Sequence, residues 1–345
     1  MEREKIIPLI KKLRDSISRY KDILRSYSRD KNARILGYLQ PLIPPEITSA
    51  FGIESVMLPE AVISGEKNPG TVEPVYRAII LPEGELPCLK ADLSSFAVCR
   101  VNYPDGYGED TAVAIHNETA SMLKTIFDID IKNIDISLLQ SVCEKYNNIR
   151  RKVRNITSLV QERKGILTGE ELDLIFEAAA VFPPEVSLPL ITPVADLLQQ
   201  IEPRSDSGSI TALIFGGRRI PAGITDFIEN RGITVAEDDT CGGRRLFDTS
   251  LNSSSEYIFY ELLDACSYRP MCPCTKKQEE RYELLYKLLR NYGINLLIFY
   301  RDDCCEISSG QIDYLRVRCM RDGIDPLVID SRNYADVIEN YLGRI

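Results

Sequence analysis

Two cysteine-containing segments in the second half of the chain each follow a short β-branched apolar run. Residues 238–245 contain Cys241, and residues 300–306 contain Cys304 and Cys305. In an open parallel sheet, the loops after the carboxyl ends of the strands line the crevice where ligands bind. The thiols are therefore predicted to reach one pocket. Beside arginines, they favour a metal cluster or an anionic ligand over a structural disulfide.

Three further cysteines lie where they could act as ligands. Cys88 follows a predicted strand at residues 76–81, and Cys272 and Cys274 flank a proline. A Cys-x-Cys pair reaches one metal only from an extended backbone, which Pro273 favours. The other cysteines lie inside predicted strands or helices and are expected to be small core residues: Cys99, Cys143, Cys266 and Cys319.

Charged residues also follow predicted strands. Arg218, Arg244 and Arg245 would give the second half of the chain a positive crevice, and guanidinium groups suit phosphates and carboxylates. The alternative is that these arginines form ion pairs with nearby aspartates, including Asp239. Glu46 is a candidate general base, or alternatively an acid that stabilises the first turn of its helix.

Short apolar runs predict eight strands that alternate with helices. The strands are predicted at residues 34–39, 54–58, 76–81, 97–102, 210–215, 233–236, 294–300 and 326–329. The helices are predicted at residues 6–24, 45–50, 112–123, 135–163, 169–180, 193–201, 224–230, 256–266, 276–291, 311–321 and 334–342. This alternation indicates an α/β protein with two doubly wound, flavodoxin- or Rossmann-like parallel-sheet domains.

The predicted domains are an N-terminal helix at residues 1–30, a first α/β domain at 31–164 and a second at 165–345. The long helix at residues 135–163 links the two α/β domains, and the Lys164-Gly165 pair that follows it is a helix stop signal. A chain of 345 residues is long enough for two such domains.

Composition excludes several classes of function. The ten cysteines lack the dense spacing of a secreted disulfide scaffold, and the charged start of the chain lacks a signal peptide, so a cytoplasmic location is expected. A net charge of −9 argues against nucleic acid as a partner, and no apolar run is long enough for a membrane span. His116 is the single histidine, which argues against imidazole-based zinc sites and Ser-His catalysis.

The order of several motifs resembles the family of 2-hydroxyacyl-CoA dehydratase and benzoyl-CoA reductase subunits. The shared segments are residues 37–39, 44–47, 51–52, 146–151, 167–169, 238–244, 269–273 and 298–306. The resemblance implies two α/β domains whose cysteines bind a 4Fe-4S cluster with one iron open to a thioester substrate. It also implies a homologous partner subunit or homodimer, and an ATP-dependent activator protein that supplies an electron.

The resemblance assigns Cys305 as the last cluster ligand, with Glu306 in place of the usual aspartate, and Cys88 as the middle one. The chain departs from the family pattern because residues 51–76 contain no cysteine. The third ligand would then be one of the remaining candidates, Cys241, Cys272, Cys274 or Cys304. Otherwise the cluster is absent, incomplete or of another type.

The implied function is the iron-sulfur subunit of an enzyme that removes water from a 2-hydroxyacyl-CoA by a reductively activated, radical reaction. One alternative is a reductase of the same fold with an altered or double-cubane cluster, suggested by the surplus thiols. The other is a non-catalytic subunit or assembly factor that retains the fold, suggested by the missing early cysteine.

Overall fold

A computed structural model gives the fold of most of the chain. It describes residues 2–39, 42–63, 65, 75–83, 89, 92–94, 96–102, 109–162, 166–202, 210–217, 220–240, 242–268, 278–291, 294–301 and 306–344. Within these ranges, the secondary structure forms two parallel sheets of four strands each, with helices packed around them.

The first sheet is built from β1 (Arg34–Tyr38), β2 (Ile53–Met57), β3 (Ala78–Pro82) and β4 (Val98–Val101). The spatial order is β2-β1-β3-β4, with every neighbouring pair parallel. Alternate residues of β1 enter two different cores: Leu36 and Tyr38 pack into one, and Ile35 into the other. This alternation is the side-chain period of a strand covered on both faces.

The helices of the first two thirds of the chain are α1 (Glu2–Ser18), α2 (Tyr20–Lys31), α3 (Pro45–Ser49), α4 (Glu60–Ile63), α5 (Glu109–Phe127), α6 (Ile136–Glu162), α7 (Gly169–Val181) and α8 (Pro184–Gln199). Apolar residues of α1, α5, α6, α7 and α8 join the first sheet in its larger core. The helices that follow the predicted boundary at residue 164 therefore pack with the first sheet. The boundary itself stays a prediction.

The second sheet contains β5 (Ile210–Gly216), β6 (Ile233–Asp239), β7 (Leu296–Tyr300) and β8 (Leu327–Ile329), in the parallel order β6-β5-β7-β8. The remaining helices are α9 (Ala222–Glu229), α10 (Ile258–Ser267), α11 (Gln278–Asn291), α12 (Glu306–Arg321) and α13 (Tyr334–Leu342). Ala212 and Ile214 of β5 face one core, and Leu213 and Phe215 face the other. Helices therefore cover both faces of this sheet.

Helix α10 does not belong to the second sheet's cores. Its residues Ile258, Leu262, Leu263 and Cys266 pack in the larger core of the first sheet. Helix α10 therefore packs against the first sheet although it follows β5 and β6 in the sequence.

The predicted fold class is confirmed: both sheets are parallel, doubly wound and built from the eight predicted strands. The single helix predicted at residues 6–24 is wrong, because the helix breaks at Arg19, whose backbone angles are φ −105° and ψ 21°. The break lets Leu13 of α1 enter the larger core and Leu24 of α2 enter the smaller one.

The helix predicted at residues 193–201 begins nine residues earlier, at Pro184, and runs through Pro189 and Pro193. Pro184 occupies the first turn, where a missing backbone N–H breaks no helical hydrogen bond. The two internal prolines each remove a hydrogen bond, so sequence rules end the helix too early.

Candidate functional site

Segments that belong to both sheet units line one cavity. Tyr38 and Pro45, at and after the end of β1, line it together with Leu246 and Phe247, which follow β6. Its volume is about 40 Å³, enough for a water-sized group. Because segments of both sheet units contribute to it, this cavity is the candidate functional site.

The predicted base Glu46 lies in the first turn of α3 and is completely buried. The adjacent Pro44-Pro45 pair starts this helix directly behind β1 and so directs Glu46 into the protein. Its Oε1 atom accepts a hydrogen bond from Nη2 of Arg150 on α6, whose side chain is 5% exposed. The two charges therefore form a buried ion pair, which is stable only while both partners are present.

One polar atom of each side chain in this ion pair has no hydrogen-bond partner within the described residues. These atoms are Oε2 of Glu46 and Nη1 of Arg150, and both are buried. Arg150 lines the cavity, as does Tyr146 one helical turn earlier, whereas Glu46 itself is not a wall residue and reaches the cavity only through Arg150. The guanidinium carbon of Arg150 lies 5.9 Å from the centre of the Tyr146 ring. Buried polar atoms without partners are unusual in folded proteins. They leave Glu46 and Arg150 able to bind a small polar group.

A larger cavity of about 300 Å³ lies between Pro59, which follows β2, and Ile220, which follows β5. Its walls carry four carboxylates, those of Glu60, Glu170, Asp173 and Glu177. Among the described residues of this wall, Arg14 is the one arginine, and it pairs with Glu170 at 2.8 Å. The described part of the wall thus carries an excess of negative charge, which does not suit the phosphates of coenzyme A.

A second group of buried charges lies at the end of β6. Asp239 is 2% exposed, and its Oδ2 accepts a 2.9 Å hydrogen bond from Nη2 of Arg281 on α11. Nη1 of Arg245 lies 3.5 Å from Oδ1 of the same carboxylate. The guanidinium of Arg281 also stacks 4.3 Å from the centre of the Phe215 ring. Arg245 thus forms an ion pair with Asp239, which is the alternative that the sequence left open to phosphate binding. A phosphate-binding role for Arg245 stays a prediction.

Arg244 is placed differently from its neighbour. Its side chain, 13% exposed, pairs through Nε with Oδ1 of Asp248 at 3.1 Å. Burial raises the pKa of Asp248, and the charge of Arg244 opposes that rise. Nearby, Arg154 donates to the carbonyl oxygens of Phe247 and Thr249, and burial lowers its pKa. Arg244 is therefore the most accessible described cation among the predicted phosphate ligands.

The other predicted ligands lie outside the described residues. These are the phosphate candidate Arg218 and the metal candidates Cys88, Cys241, Cys272, Cys274, Cys304 and Cys305. Among the residues that are described, no group of three or more Cys, His, Asp or Glu side chains is arranged to hold a metal ion. The metal assignment stays a prediction.

The four cysteines predicted to be core residues can be compared with the structure. Cys143, Cys266 and Cys319 are buried, which confirms the prediction, whereas Cys99 is only partly buried. Burial raises the pKa of the Cys143 thiol, and it raises that of Cys319 to about 11. These thiols stay protonated at neutral pH, so they are poor metal ligands.

Three polar residues of the site were not singled out from the sequence. Arg150 and Tyr146 occur in the motif at residues 146–151, and their spacing of four places them on one helix face, which was the available signal. The sequence around Arg281 does not distinguish it from the other charged residues of its helix. Its partner Asp239 is 42 residues away.

Together, the two parallel sheets and the polar cavity lined by both units define an α/β protein with a candidate ligand site between them. The chain belongs to the family described as 2-hydroxyglutaryl-CoA dehydratase, D-component, whose family model matches residues 90–345. This membership confirms the resemblance noted from the sequence motifs. It supports a dehydratase-type subunit, with a lyase or related enzyme role, that works with partner subunits.

The family match begins after β3, so it covers β4, the long helix α6 and the whole second sheet. A search of curated proteins finds no match to this chain. In the described part of the chain, none of the helices combines the length and apolar character needed to cross a bilayer.

Proposed function

We propose that this chain is the iron-sulfur subunit of a 2-hydroxyacyl-CoA dehydratase-type enzyme, with a homologous partner subunit or a second copy of itself, and with an ATP-dependent activator as electron donor. The observation that carries the proposal is the buried Glu46–Arg150 pair, whose arginine lines a cavity formed by segments of both sheet units, in a member of the dehydratase family. The cluster would be of the 4Fe-4S type and would be held by the cysteines that follow the strands, not by the small cavity itself.

The strand order supports a shared position for the second-half thiols. β6 and β7 both border β5, so their carboxyl ends are separated by two strand spacings, about 10 Å. Cys241 follows the end of β6 by two residues, and Cys304 and Cys305 follow the end of β7 by four and five. Thiolates are the ligands that iron-sulfur clusters take. The segments after β6 and β7, the two strands on either side of β5, can therefore supply two ligands to one cluster.

When bound, such a cluster would supply an electron and a Lewis-acidic iron for the loss of water from a 2-hydroxyacyl thioester. The remaining roles belong to side chains of this chain. Glu46 would accept or return a proton at Oε2, while Arg150 holds the carboxylate through Oε1. Arg244, with Arg218, would bind the coenzyme A phosphates. Arg245 would mainly position the loop after β6 through Asp239.

Metal analysis of protein purified without oxygen tests the proposal. We expect iron and sulfide in the wild type, and loss of both in Cys88→Ala and Cys305→Ala. Cys319→Ala, which removes a buried thiol from the second sheet's core, is the matched control and should keep its iron.

Iron-free wild-type protein would contradict the cluster and favour the non-catalytic subunit. Iron well above four atoms per chain, retained in part by both ligand variants, would instead favour the reductase with a double-cubane cluster, for which Cys272, Cys274 and Cys304 are the surplus thiols.

A further inference from the structure

A row of hydrogen-bonding groups leads from the protein surface into the first sheet. At its outer end, the exposed Lys145 and Glu185 form an ion pair at 2.5 Å. The hydroxyl of Tyr27, on α2, lies 3.2 Å from Oε2 of Glu185 and 3.4 Å from Oε1 of Glu54. Glu54 is a residue of β2 that is only 9% exposed. Tyr27 thus connects a surface carboxylate with a buried one.

The same row continues from Glu54 to the cavity. The hydroxyl of Ser49, on α3, donates to Oε2 of Glu54 at 2.8 Å. It also lies 3.1 Å from the hydroxyl of Tyr146, and either oxygen of that pair can be the donor. Tyr146 lines the cavity beside Arg150, the partner of Glu46. Every link between the surface and the cavity is therefore within hydrogen-bonding distance.

The groups in the row are of the kind that can pass a proton on. A serine or tyrosine hydroxyl donates one hydrogen bond while it accepts others, and a protonated carboxyl group does the same. Burial raises the pKa of Glu54, and the charge of Glu185 adds to the rise, while Ser49, Tyr27 and Lys145 oppose it. Burial also raises the pKa of Tyr146, and the charge of Glu54 raises it further. Both shifts are toward the neutral, proton-bearing forms of these side chains.

We propose that Tyr27, Glu54 and Ser49 form a proton relay that ends at the hydroxyl of Tyr146 in the cavity. The proposal rests on the proposed function, because the departing hydroxyl group takes a proton to leave as water, while the proton that the substrate loses is accepted at Glu46 and later released. It adds Tyr146 as the proton-donating group that faces the cavity, distinct from Glu46.

The transfer balances at each atom. When the Tyr146 hydroxyl gives its proton to an acceptor in the cavity, the Ser49 hydroxyl turns its proton from Oε2 of Glu54 to the Tyr146 oxygen. Ser49 then takes the acid proton of Glu54 at that same contact. Glu54 then takes the proton of Tyr27. Tyr27 is restored from solvent through the Lys145–Glu185 pair. One proton enters at the surface, one leaves at the cavity, and no group changes its final charge.

The same hydrogen bonds would also be present if these groups only stabilised the fold. The test must therefore measure proton transfer along the row. Infrared spectroscopy of the resting full-length protein can do so without any turnover. We expect a carboxylic acid C=O band that disappears in Glu54→Gln. After transfer into D₂O, this band should shift more slowly in Tyr27→Phe than in the wild type, since the outer link is cut.

The matched control is Tyr76→Phe, which removes the hydroxyl of another buried tyrosine, outside the row. Its exchange rate should equal that of the wild type. A missing Glu54 acid band, or equal exchange in Tyr27→Phe and Tyr76→Phe, would overturn the relay.

Turnover of 2-hydroxyglutaryl-CoA by the activated holoenzyme gives the second measurement. Tyr146→Phe should lower kcat about 10²-fold, as for the loss of a positioned proton donor, with KM little changed. Small acids such as imidazolium should restore part of the rate in Tyr27→Phe, because they can replace the outer link. Unchanged kcat in Tyr146→Phe would overturn the relay. Absent turnover in the wild type would contradict the proposed function, and the infrared exchange would then decide the relay alone.

Discussion

Replacing Arg150 with methionine should remove a large part of the protein's stability. The substitution leaves Glu46 completely buried without the guanidinium that now balances its charge. Breaking a buried ion pair by deleting one partner destabilises a protein by about 3–5 kcal/mol. Arg150→Met/Glu46→Met removes both charges together and keeps similar volume, so it should lose much less than Arg150→Met alone. The two substitutions are therefore predicted to be strongly non-additive.

Urea denaturation followed by circular dichroism measures the free energies of unfolding in a double-mutant cycle. Arg151→Met is the matched control, because this neighbour on α6 is 62% exposed and its removal should change stability by about 0.5 kcal/mol or less. Two results would refute the claim that the buried charges of Glu46 and Arg150 stabilise each other. One is a loss below about 1 kcal/mol in Arg150→Met, and the other is a double variant whose loss equals the sum of the two single losses.

Three further outcomes are expected. Burial raises the pKa of Glu229 to about 7, so wild-type stability should fall by roughly 3 kcal/mol as pH rises from 4.5 through 7. Glu229→Gln keeps an acceptor for the N–H of Gly169 and should flatten that slope; an unchanged pH profile in urea titrations would contradict this. Gly169→Ala would bring a methyl group within 2.6 Å of Cγ2 of Thr225 and should cost about 1–3 kcal/mol, a loss that a Thr225→Ser background relieves if the contact is the cause. Arg244→Ala should weaken a coenzyme A thioester by about 1.5–3 kcal/mol in calorimetric titration with little change in melting temperature, because its pair with Asp248 is partly exposed; equal affinities would exclude the phosphate role.

Local sequence patterns were sufficient to predict the strands, because a strand that is buried on both faces has an unbroken run of apolar residues. In β5, Ala212 and Leu213 face opposite cores, so both must be apolar, and the run stands out. The bend at Arg19 carries no such signal. It arises because α1 and α2 pack against different cores, which is a tertiary constraint that overrides a continuous helical period.

A residue of the candidate site could be predicted from the sequence where its position depends only on adjacent residues. Glu46 comes directly after Pro44 and Pro45, which start α3, so the sequence places it in the first turn of that helix. The partners of the buried charges could not be predicted in the same way. Arg150 is 104 residues from Glu46, so the pairing depends on how α6 crosses the first sheet.

The return of α10 to the first sheet has a consequence for biosynthesis. The larger core contains Ile6 of α1 and Cys266 of α10, so it is complete only after most of the chain has left the ribosome. Until then, part of the apolar surface of α5 and α6 stays uncovered, which is the condition in which nascent chains associate with one another or with chaperones. Because these contacts join distant parts of the sequence, folding of the first sheet should be slow and should follow, not precede, the synthesis of β5 and β6.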